Sequence, residues 1–235
     1  MKYVFKPKTD LEKFGLRTYS ALVENFPKTY FVGGMLRDAL LKRKIGDIDI
    51  ATAAKPGEVV EVLKKYFIAY NIGFIYLGVV IALERRLACA IATFRKDLAT
   101  HGRYPEVQFV AMPKEDAKRR DFTVNALYLS VKSKKILDFY TGIKDLKNRE
   151  IKFIGNAEKK IKEDPLRIIR ALRFALQLQF RLSKTAKAAI ISNLRLVNLL
   201  TKSKLKKEVD KLENERSKNL VYSAIKNRKI LTNNF

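Results

Sequence analysis

Residues 30–52, YFVGGMLRDALLKRKIGDIDIAT, decide the expected fold. A short apolar run meets the paired glycines Gly33 and Gly34, and a helix-like pattern follows from Met35 to Lys42. This order predicts a strand, a tight turn and a helix. Glycines at such a turn let backbone N–H groups approach an anion, and the helix directs its positive end at the same place. The stretch therefore predicts a phosphate-binding turn, with Arg37 as a further donor, although an ordinary turn is the alternative.

The same stretch ends in two aspartates. Asp47 and Asp49 alternate with Ile48 and Ile50. In a strand, this spacing places both carboxylates on one face and both isoleucines in the core. Two neighbouring carboxylates repel each other unless cations lie between them, and oxygen ligands suit Mg²⁺. The pattern indicates a magnesium site, and a strand with one solvated face is the other interpretation.

The charge of the chain is extreme. With 49 Lys and Arg against 24 Asp and Glu in 235 residues, the net charge is +25 and the pI about 10.1. Such a surface favours a polyanionic partner such as RNA. A lysine-rich proteome or a ribosome-associated protein is the alternative explanation of the charge.

Cysteine usage and hydropathy indicate the compartment. The single Cys89 excludes a disulfide framework and a cysteine-ligated metal site, as is typical of a reducing environment. No apolar stretch approaches the roughly 18 residues of a membrane span, and the N-terminus lacks the apolar core of a signal peptide. We therefore expect a cytoplasmic protein.

Hydrophobic periodicity predicts the remaining elements of the first part of the chain. A helix over 11–26 with Asp10 as its cap and a helix from Pro56 that includes Phe67 are expected. A lone His101 in the polar segment 93–110 is interpreted as solvated or RNA-facing rather than catalytic. The apolar, often β-branched runs predict strands at 74–83, 87–94, 107–111, 127–131 and 136–139, the first two forming a hairpin that extends the sheet carrying the aspartates.

A helix rich in arginine is expected near residue 165. In EDPLRIIRALRF, Pro165 suits the first helical position, which makes Asp164 the N-cap. Arg167, Arg170 and Arg173 recur every third residue and form one basic row along the helix. A solvated basic face is the alternative. The later run KSKLKKEVDKLENERSK predicts an exposed helix of mixed charge that contacts RNA phosphates.

Three motifs in this order, GGMLRD with DIDIAT, RRDFTVNA and EDPLRIIRALRF, resemble the class II tRNA nucleotidyltransferases (CCA-adding enzymes) and the bacterial poly(A) polymerases. Both belong to the polymerase-beta-type nucleotidyltransferase superfamily. The resemblance implies an α+β fold, in which a catalytic head with a mixed or antiparallel sheet flanked by helices spans residues 1–155. An all-helical neck for base recognition and RNA contact would span 156–235, with body and tail domains absent.

The resemblance also implies the reaction. The protein is expected to add C and/or A from CTP and ATP to tRNA 3′ ends, with two Mg²⁺ ions on Asp47 and Asp49. The 3′-OH would attack the α-phosphate in line and release pyrophosphate. Two alternatives are a poly(A) polymerase and a catalytically impaired basic RNA-binding protein on the same scaffold.

Roles for the other motif residues follow from the same resemblance. Gly33, Gly34 and Arg37 would position the triphosphate, Arg120 would contact phosphates, and Asp121 would hold the ribose. Asp164 and Arg167 would read the base, and Arg170 and Arg173 would contact phosphates or the remaining base acceptors. An Asp acceptor beside an Arg donor fork suits the edges of cytosine and adenine, whereas uracil and guanine would leave polar groups wrongly paired.

Two departures from the family pattern stand out. Related sequences generally carry an acidic residue where this chain has Ala90. Either metal binding is weaker here, or Glu84 supplies the carboxylate. The chain also stops after the neck, which makes a partial activity, or a fragment of a longer protein, the expectation.

Overall fold

The computed structural model describes residues 1–66, 68–98 and 107–235. The chain forms two compact units. Unit 1 comprises Met1–Arg120 and Asn125–Gly142, and unit 2 comprises Asp121–Val124 and Ile143–Phe235. The expected domain division after residue 155 stays a prediction. Two residues named above, Phe67 and His101, lie outside the described ranges.

Unit 1 is built on a seven-stranded mixed sheet with the order β3-β4-β5-β2-β1-β8-β9. Neighbours pair antiparallel except β2 and β5, which are parallel. The predicted fold class is therefore confirmed, and the predicted hairpin of β4 and β5 extends the sheet that carries the aspartate strand β2. The strands are β1 Thr29–Val32, β2 Ile48–Thr52, β3 Ala69–Asn71, β4 Val79–Glu84, β5 Leu87–Thr93, β8 Leu127–Ser130 and β9 Lys135–Asp138, with a separate ribbon of β6 Arg95–Asp97 and β7 Val107–Phe109.

Helices of unit 1 cover this sheet. They are α1 Asp10–Val23, α2 Gly34–Leu40, α3 Pro56–Lys65 and α4 Pro113–Arg119, with a 3₁₀ turn at Ile75–Leu77. Thr9, not Asp10, caps α1, because its hydroxyl accepts from the Glu12 amide at 3.2 Å. A Cβ at Gly15 of α1 would lie 2.7 Å from Ile48 Cγ2, so α1 packs closely on the Ile48 face of the sheet.

Strand β2 shows the expected alternation. Ile48 and Ile50 are buried on the α1 face, and Asp49 points to the other face. The strand begins one residue later than predicted, so Asp47 immediately precedes it. The strand predicted from residue 74 begins instead at Val79, because residues before it form the 3₁₀ turn.

Unit 2 is mainly helical. Its elements are α5 Gly142–Lys147, which begins at the last residue of unit 1, α6 Ala157–Glu163, α7 Leu166–Leu178, α8 Lys184–Asn193, α9 Lys202–Val209, α10 Glu215–Lys226 and α11 Arg228–Asn234, with a parallel pair of β10 Glu150–Ile151 and β11 Arg181–Leu182. Further 3₁₀ turns lie at Thr123–Asn125 and Leu194–Leu199. Helix α7 buries Ile168, Ile169 and Leu172 and packs against α9 and α10.

None of the helices in the described ranges combines the length and the apolar character needed to cross a membrane.

Candidate active site

The turn between β1 and α2 is centred on Gly33. Its φ of +73° and ψ of −142° lie in a region that residues with a Cβ rarely adopt. A Cβ at this position would also lie 3.2 Å from Asp49 Oδ2 and 3.5 Å from Arg120 Nη1. Glycine is therefore required at this position for two reasons: the backbone conformation, and the closeness of the Asp49 and Arg120 side chains. The turn, the Asp49 carboxylate and the Arg120 guanidinium meet at one point of unit 1.

The two aspartates of the 30–52 stretch carry no protein partner in the described part of the chain. Neither carboxylate accepts a hydrogen bond or forms an ion pair there, although Asp49 is half-buried. Burial raises the pKa of the Asp49 carboxyl, nearby Arg120 opposes this, and Asp47 raises it further. Within the described ranges, the two carboxylates are thus left without an ion pair in a chain of net charge +25.

This pair of oxygen donors fits a divalent cation such as Mg²⁺. Kinases, ATPases and polymerases hold Mg²⁺ through one or two carboxylates plus substrate phosphates. No cluster of three or more His, Cys, Asp or Glu suited to a metal exists among the described residues. The set therefore consists of Asp47 and Asp49, and the remaining ligands would come from water and a substrate.

Ala90 lies at the position where a third carboxylate is expected. In the parallel pairing of β2 with β5, it is the direct partner of Asp49, and Ile81 pairs with it from the other side. Glu84 lies three residues along β4 from Ile81, so its side chain points to the opposite face, where it pairs with Arg17 of α1. The geometry excludes Glu84 as a substitute for the missing carboxylate.

Arg120 is held by hydrogen bonds to residues other than Asp49. Its Nε donates to the Tyr128 hydroxyl at 3.0 Å, and its Nε and Nη2 contact Asp116 Oδ2 at 3.3 and 3.2 Å. Nη1 reaches the Asn125 carbonyl at 3.4 Å. Burial alone would lower the pKa of Arg120, but Tyr128, Asp116 and Asp49 raise it overall. Arg120 is therefore a fixed cation beside Asp49.

Sequence reasoning missed Asp116. This residue is fully buried, and its carboxylate accepts from Arg119, Arg120, the Tyr128 hydroxyl and the Arg95 amide. Burial opposes ionisation, but the two arginines lower the pKa of Asp116 overall. The sequence did contain a signal for these ion pairs. Asp116 lies three residues before Arg119 and four before Arg120, a spacing that brings side chains together on a helix.

Arg37 is already bonded within unit 1. It is buried, its Nε and Nη2 pair with Asp38 at 3.0 and 2.8 Å, and its Nη1 donates to Asn125 Oδ1 at 2.7 Å. Asn125 thereby links Arg37 to Arg120. The observed contacts brace the turn, and the expected contact of Arg37 with phosphate stays a prediction.

In unit 2, Asp121 is paired with Arg170. Both Nε, at 2.8 Å, and Nη2 of Arg170 donate to Asp121 Oδ2, and the Phe122 amide donates to Oδ1 at 2.7 Å. Burial would lower the pKa of Arg170, but Asp121 raises it. Asp121 is expected at the ribose and Arg170 at phosphates or base acceptors, and the two residues contact each other in this structure.

Arg173 is buried in unit 2. Its Nε donates to Glu208 at 2.7 Å, Nη1 donates to Gln177 at 2.7 Å, and the guanidinium lies 3.9 Å from the centre of the Phe174 ring. Glu208 itself is buried and also pairs with Lys211. The fully exposed helix expected for KSKLKKEVDKLENERSK is thus wrong at Glu208 and Val209, which face α7.

Asp164 and Arg167 keep unused polar atoms. Asp164 Oδ1 accepts from the Leu166 amide at 3.0 Å, in keeping with the expected cap, although the helix begins at Leu166. Arg167 Nη1 donates to the Lys160 carbonyl at 2.8 Å and to Glu163 at 2.9 Å. Within the described ranges, Asp164 Oδ2 and Arg167 Nη2 have no partner. These atoms remain available to a ligand.

Comparison with known proteins identifies the family. A family model described as the Poly A polymerase head domain matches residues 29–152, more than half of the chain. The chain belongs to the poly(A) polymerase head-domain family. The matched part contains the Gly33 turn, both aspartates, Arg120 and Asp121, whereas the α7 arginines lie beyond it.

Relatives of this head-domain protein are named CCA-adding enzymes. One from Lactobacillus delbrueckii subsp. bulgaricus is 41% identical over 187 residues, which are 79% of this chain and 46% of the relative. Another from Enterococcus faecalis is 42% identical over 165 residues, 69% of this chain and 39% of the relative. The chain spans less than half the length of these two relatives.

Solved structures agree with this assignment. The Bacillus stearothermophilus CCA-adding enzyme in complex with CTP superposes with a TM-score of 0.76 at 34% identity, covering 87% of this chain and 49% of that one. A tRNA nucleotidyltransferase complexed with a primer tRNA and an incoming ATP analogue gives a TM-score of 0.69 at 29% identity, covering 88% of this chain and 60% of that one. The head-domain fold of this chain is therefore that of nucleotidyltransferases.

Proposed function

We propose that this protein is a template-independent RNA nucleotidyltransferase that adds C and/or A from CTP and ATP to tRNA 3′ ends. The observation that carries the proposal is the unpartnered pair Asp47 and Asp49 beside the Gly33 turn and the fixed Arg120. In the described part of this strongly basic protein, no lysine or arginine forms an ion pair with either carboxylate, so both can serve as ligands for a different cation. The names of its relatives support the same activity.

In this proposal, the residues of unit 1 bind the triphosphate and the cation. Asp47 and Asp49 would hold Mg²⁺, which when bound supplies positive charge to the reacting phosphate and lowers the pKa of the attacking 3′-OH. The backbone amides at Gly33 and Gly34 would donate to phosphate oxygens, and Arg120 would add a charge-assisted donor. No side-chain nucleophile is required, since the attacking group belongs to the RNA.

For the base, we propose Asp164 and Arg167 of unit 2. The free Asp164 Oδ2 can accept from an exocyclic amino group, and the free Arg167 Nη2 can donate to a ring nitrogen. Cytosine and adenine present both groups. Uracil and guanine present a carbonyl and an N–H instead, which would leave buried groups mispaired at roughly 1–3 kcal/mol each.

A single assay tests the function. The full chain is incubated with Mg²⁺ and tRNAs ending before C, after CC, or after CCA, with CTP and ATP supplied separately and together, and product lengths are read on a gel. Addition that stops at a defined length supports the proposal. Long A tails indicate a poly(A) polymerase instead.

A second candidate is a basic RNA-binding protein on a catalytically impaired scaffold. It is favoured by Ala90, which places a methyl group beside Asp49 where an acidic residue is expected. Absence of any extension in the assay, with retained tRNA binding in a filter assay, would support this candidate. The expected cytoplasmic location stays a prediction, which fluorescence microscopy of the tagged protein can check.

A further inference from the structure

Arg120 lies between two carboxylates, of which it binds only one. Nε and Nη2 contact Asp116 at 3.3 and 3.2 Å. Nη1 and Asp49 Oδ2 both lie within 3.5 Å of the point that a Cβ at Gly33 would occupy, so they are neighbours across the turn. Yet in the portion of the chain that is described, no ion pair joins Arg120 to Asp49. Because an arginine fork binds carboxylates strongly, this separation requires a cause.

Asp116 supplies that cause. Its carboxylate is buried, and it holds Arg120 through Oδ2 while Oδ1 is anchored by Arg119 at 2.8 Å. Tyr128 reinforces the arrangement, since its hydroxyl donates to Asp116 at 2.6 Å and accepts from Arg120 at 3.0 Å. The guanidinium also lies 5.2 Å from the centre of the Tyr128 ring. Arg120 is thus restrained by several contacts, and in the described part of the chain none of them is to Asp49.

We propose that Asp116 is a positioning residue that holds Arg120 away from Asp49 and thereby keeps the aspartate pair open to a divalent cation. Besides Asp116, Asp49 is the described carboxylate that acts on Arg120, so it is the partner available once the Asp116 charge is removed. Arg120 would pair with it, occupy a cation ligand and repel the incoming ion. The inference rests on the cation site of the proposed function and adds a residue that controls access to it.

Binding of Mn²⁺ to the full chain without nucleotide or RNA tests the inference. Free Mn²⁺ is measured by electron paramagnetic resonance during titration. Asp116→Asn should bind Mn²⁺ roughly five- to ten-fold more weakly than the wild type, the size of a typical coupling between contacting groups. Glu115→Gln is the matched control, because Glu115 is the adjacent acid, is only half-buried and pairs with Lys96, and its loss should leave Mn²⁺ binding unchanged.

A double variant separates positioning from simple damage to the fold. If Arg120 blocks the site in Asp116→Asn, then Asp116→Asn with Arg120→Gln should bind Mn²⁺ within about two-fold of Arg120→Gln alone. A collapsed site would not recover through a second substitution. Circular dichroism verifies folding. Tyr128→Phe is a milder variant that should weaken Mn²⁺ binding by less than Asp116→Asn, and adding Arg120→Gln should again remove this loss of affinity.

Each outcome has a defined meaning. Wild-type-like Mn²⁺ binding in folded Asp116→Asn and Tyr128→Phe overturns the inference, as does a loss that Arg120→Gln fails to relieve. Absence of Mn²⁺ binding by the wild type contradicts the cation site of the proposed function itself. Weak binding by Asp116→Asn that is restored in the double variant supports both.

Discussion

The aspartate pair of unit 1 and two acidic residues of unit 2 have opposite surroundings. In unit 1, Asp47 and Asp49 have neither ion pairs nor hydrogen bonds within the described ranges. In unit 2, Asp121 is bonded by Arg170, and Glu208 is bonded by Arg173 and Lys211. The chain has cations in excess, so the lack of partners at the aspartate pair is not a shortage of arginine or lysine. Under the proposed function, the first two carboxylates bind a ligand, whereas those of unit 2 stabilise the protein.

The largest effect should come from removing the unpaired acids. Asp47→Ala or Asp49→Ala should lower nucleotide incorporation by roughly a thousand-fold or more, because charge stabilisation by a bound metal ion is worth several kcal/mol. Single-turnover extension of labelled tRNA measures the rate. Circular dichroism and tRNA binding should be close to wild type. Full activity in either variant would contradict the proposed role of Asp47 and Asp49 in cation binding.

Removing a paired acid should affect stability instead. Glu208→Gln should lower the free energy of unfolding by roughly 3–5 kcal/mol, because it leaves the buried Arg173 without its anion. Urea denaturation provides the measurement. Glu213→Gln is the matched control, since Glu213 is exposed and lies in the same region. Equal stability of the two variants would show that the buried pair is not structural.

Arg167 is bonded through only part of its guanidinium, so substitution shows whether it binds a ligand or stabilises the protein. Arg167→Ala should reduce discrimination against UTP by roughly ten-fold, in line with 1–3 kcal/mol per mispaired group. Competition between labelled UTP and unlabelled CTP measures it. Lys159→Ala, which removes an exposed positive charge from α6, should leave the discrimination unchanged. Unchanged discrimination between UTP and CTP in Arg167→Ala would indicate that Arg167 has a structural role and does not read the base.

The smallest expected effect is on thermal stability, because the Asp49 carboxylate is half-buried without an ion pair in the described part of the chain. Since burial raises the pKa of Asp49, the native state binds a proton more readily than the unfolded state, and stability falls as pH rises through and above the ordinary aspartate pKa. In EDTA at neutral pH, Asp49→Asn should therefore raise Tm by roughly 2–4 °C, and this gain should vanish at acidic pH. Differential scanning calorimetry in the two buffers checks this, and a lower Tm for Asp49→Asn would contradict it.

Local patterns made much of the fold predictable. The Gly-Gly turn and the alternation of Ile48 and Ile50 with the aspartates follow from steric and hydrophobic rules that operate over a few residues. Motif order gave the family. The register of Ala90 against Asp49, by contrast, depends on a parallel pairing between distant segments, which no short window of sequence contains.

The buried ion pairs were the least predictable part of the site. Arg170 was read as part of a solvated or ligand-facing row, but its partner Asp121 is distant in sequence. Glu208 could have been recognised, because Leu205, Val209 and Leu212 form an apolar stripe and Glu208 occupies the i+3 position within it. An acid inside such a stripe requires a buried cation, and Arg173 provides it.

The strand order has a consequence for synthesis on the ribosome. Strand β1 pairs with β2 on one side and with β8 on the other, and β8 follows α4 in the chain. A nascent chain that has emerged only as far as the aspartate strand therefore exposes open edges of apolar strands until the later segments arrive. Because these pairings are non-local, they form slowly. A chaperone that covers such edges would raise the yield of native protein during rapid translation.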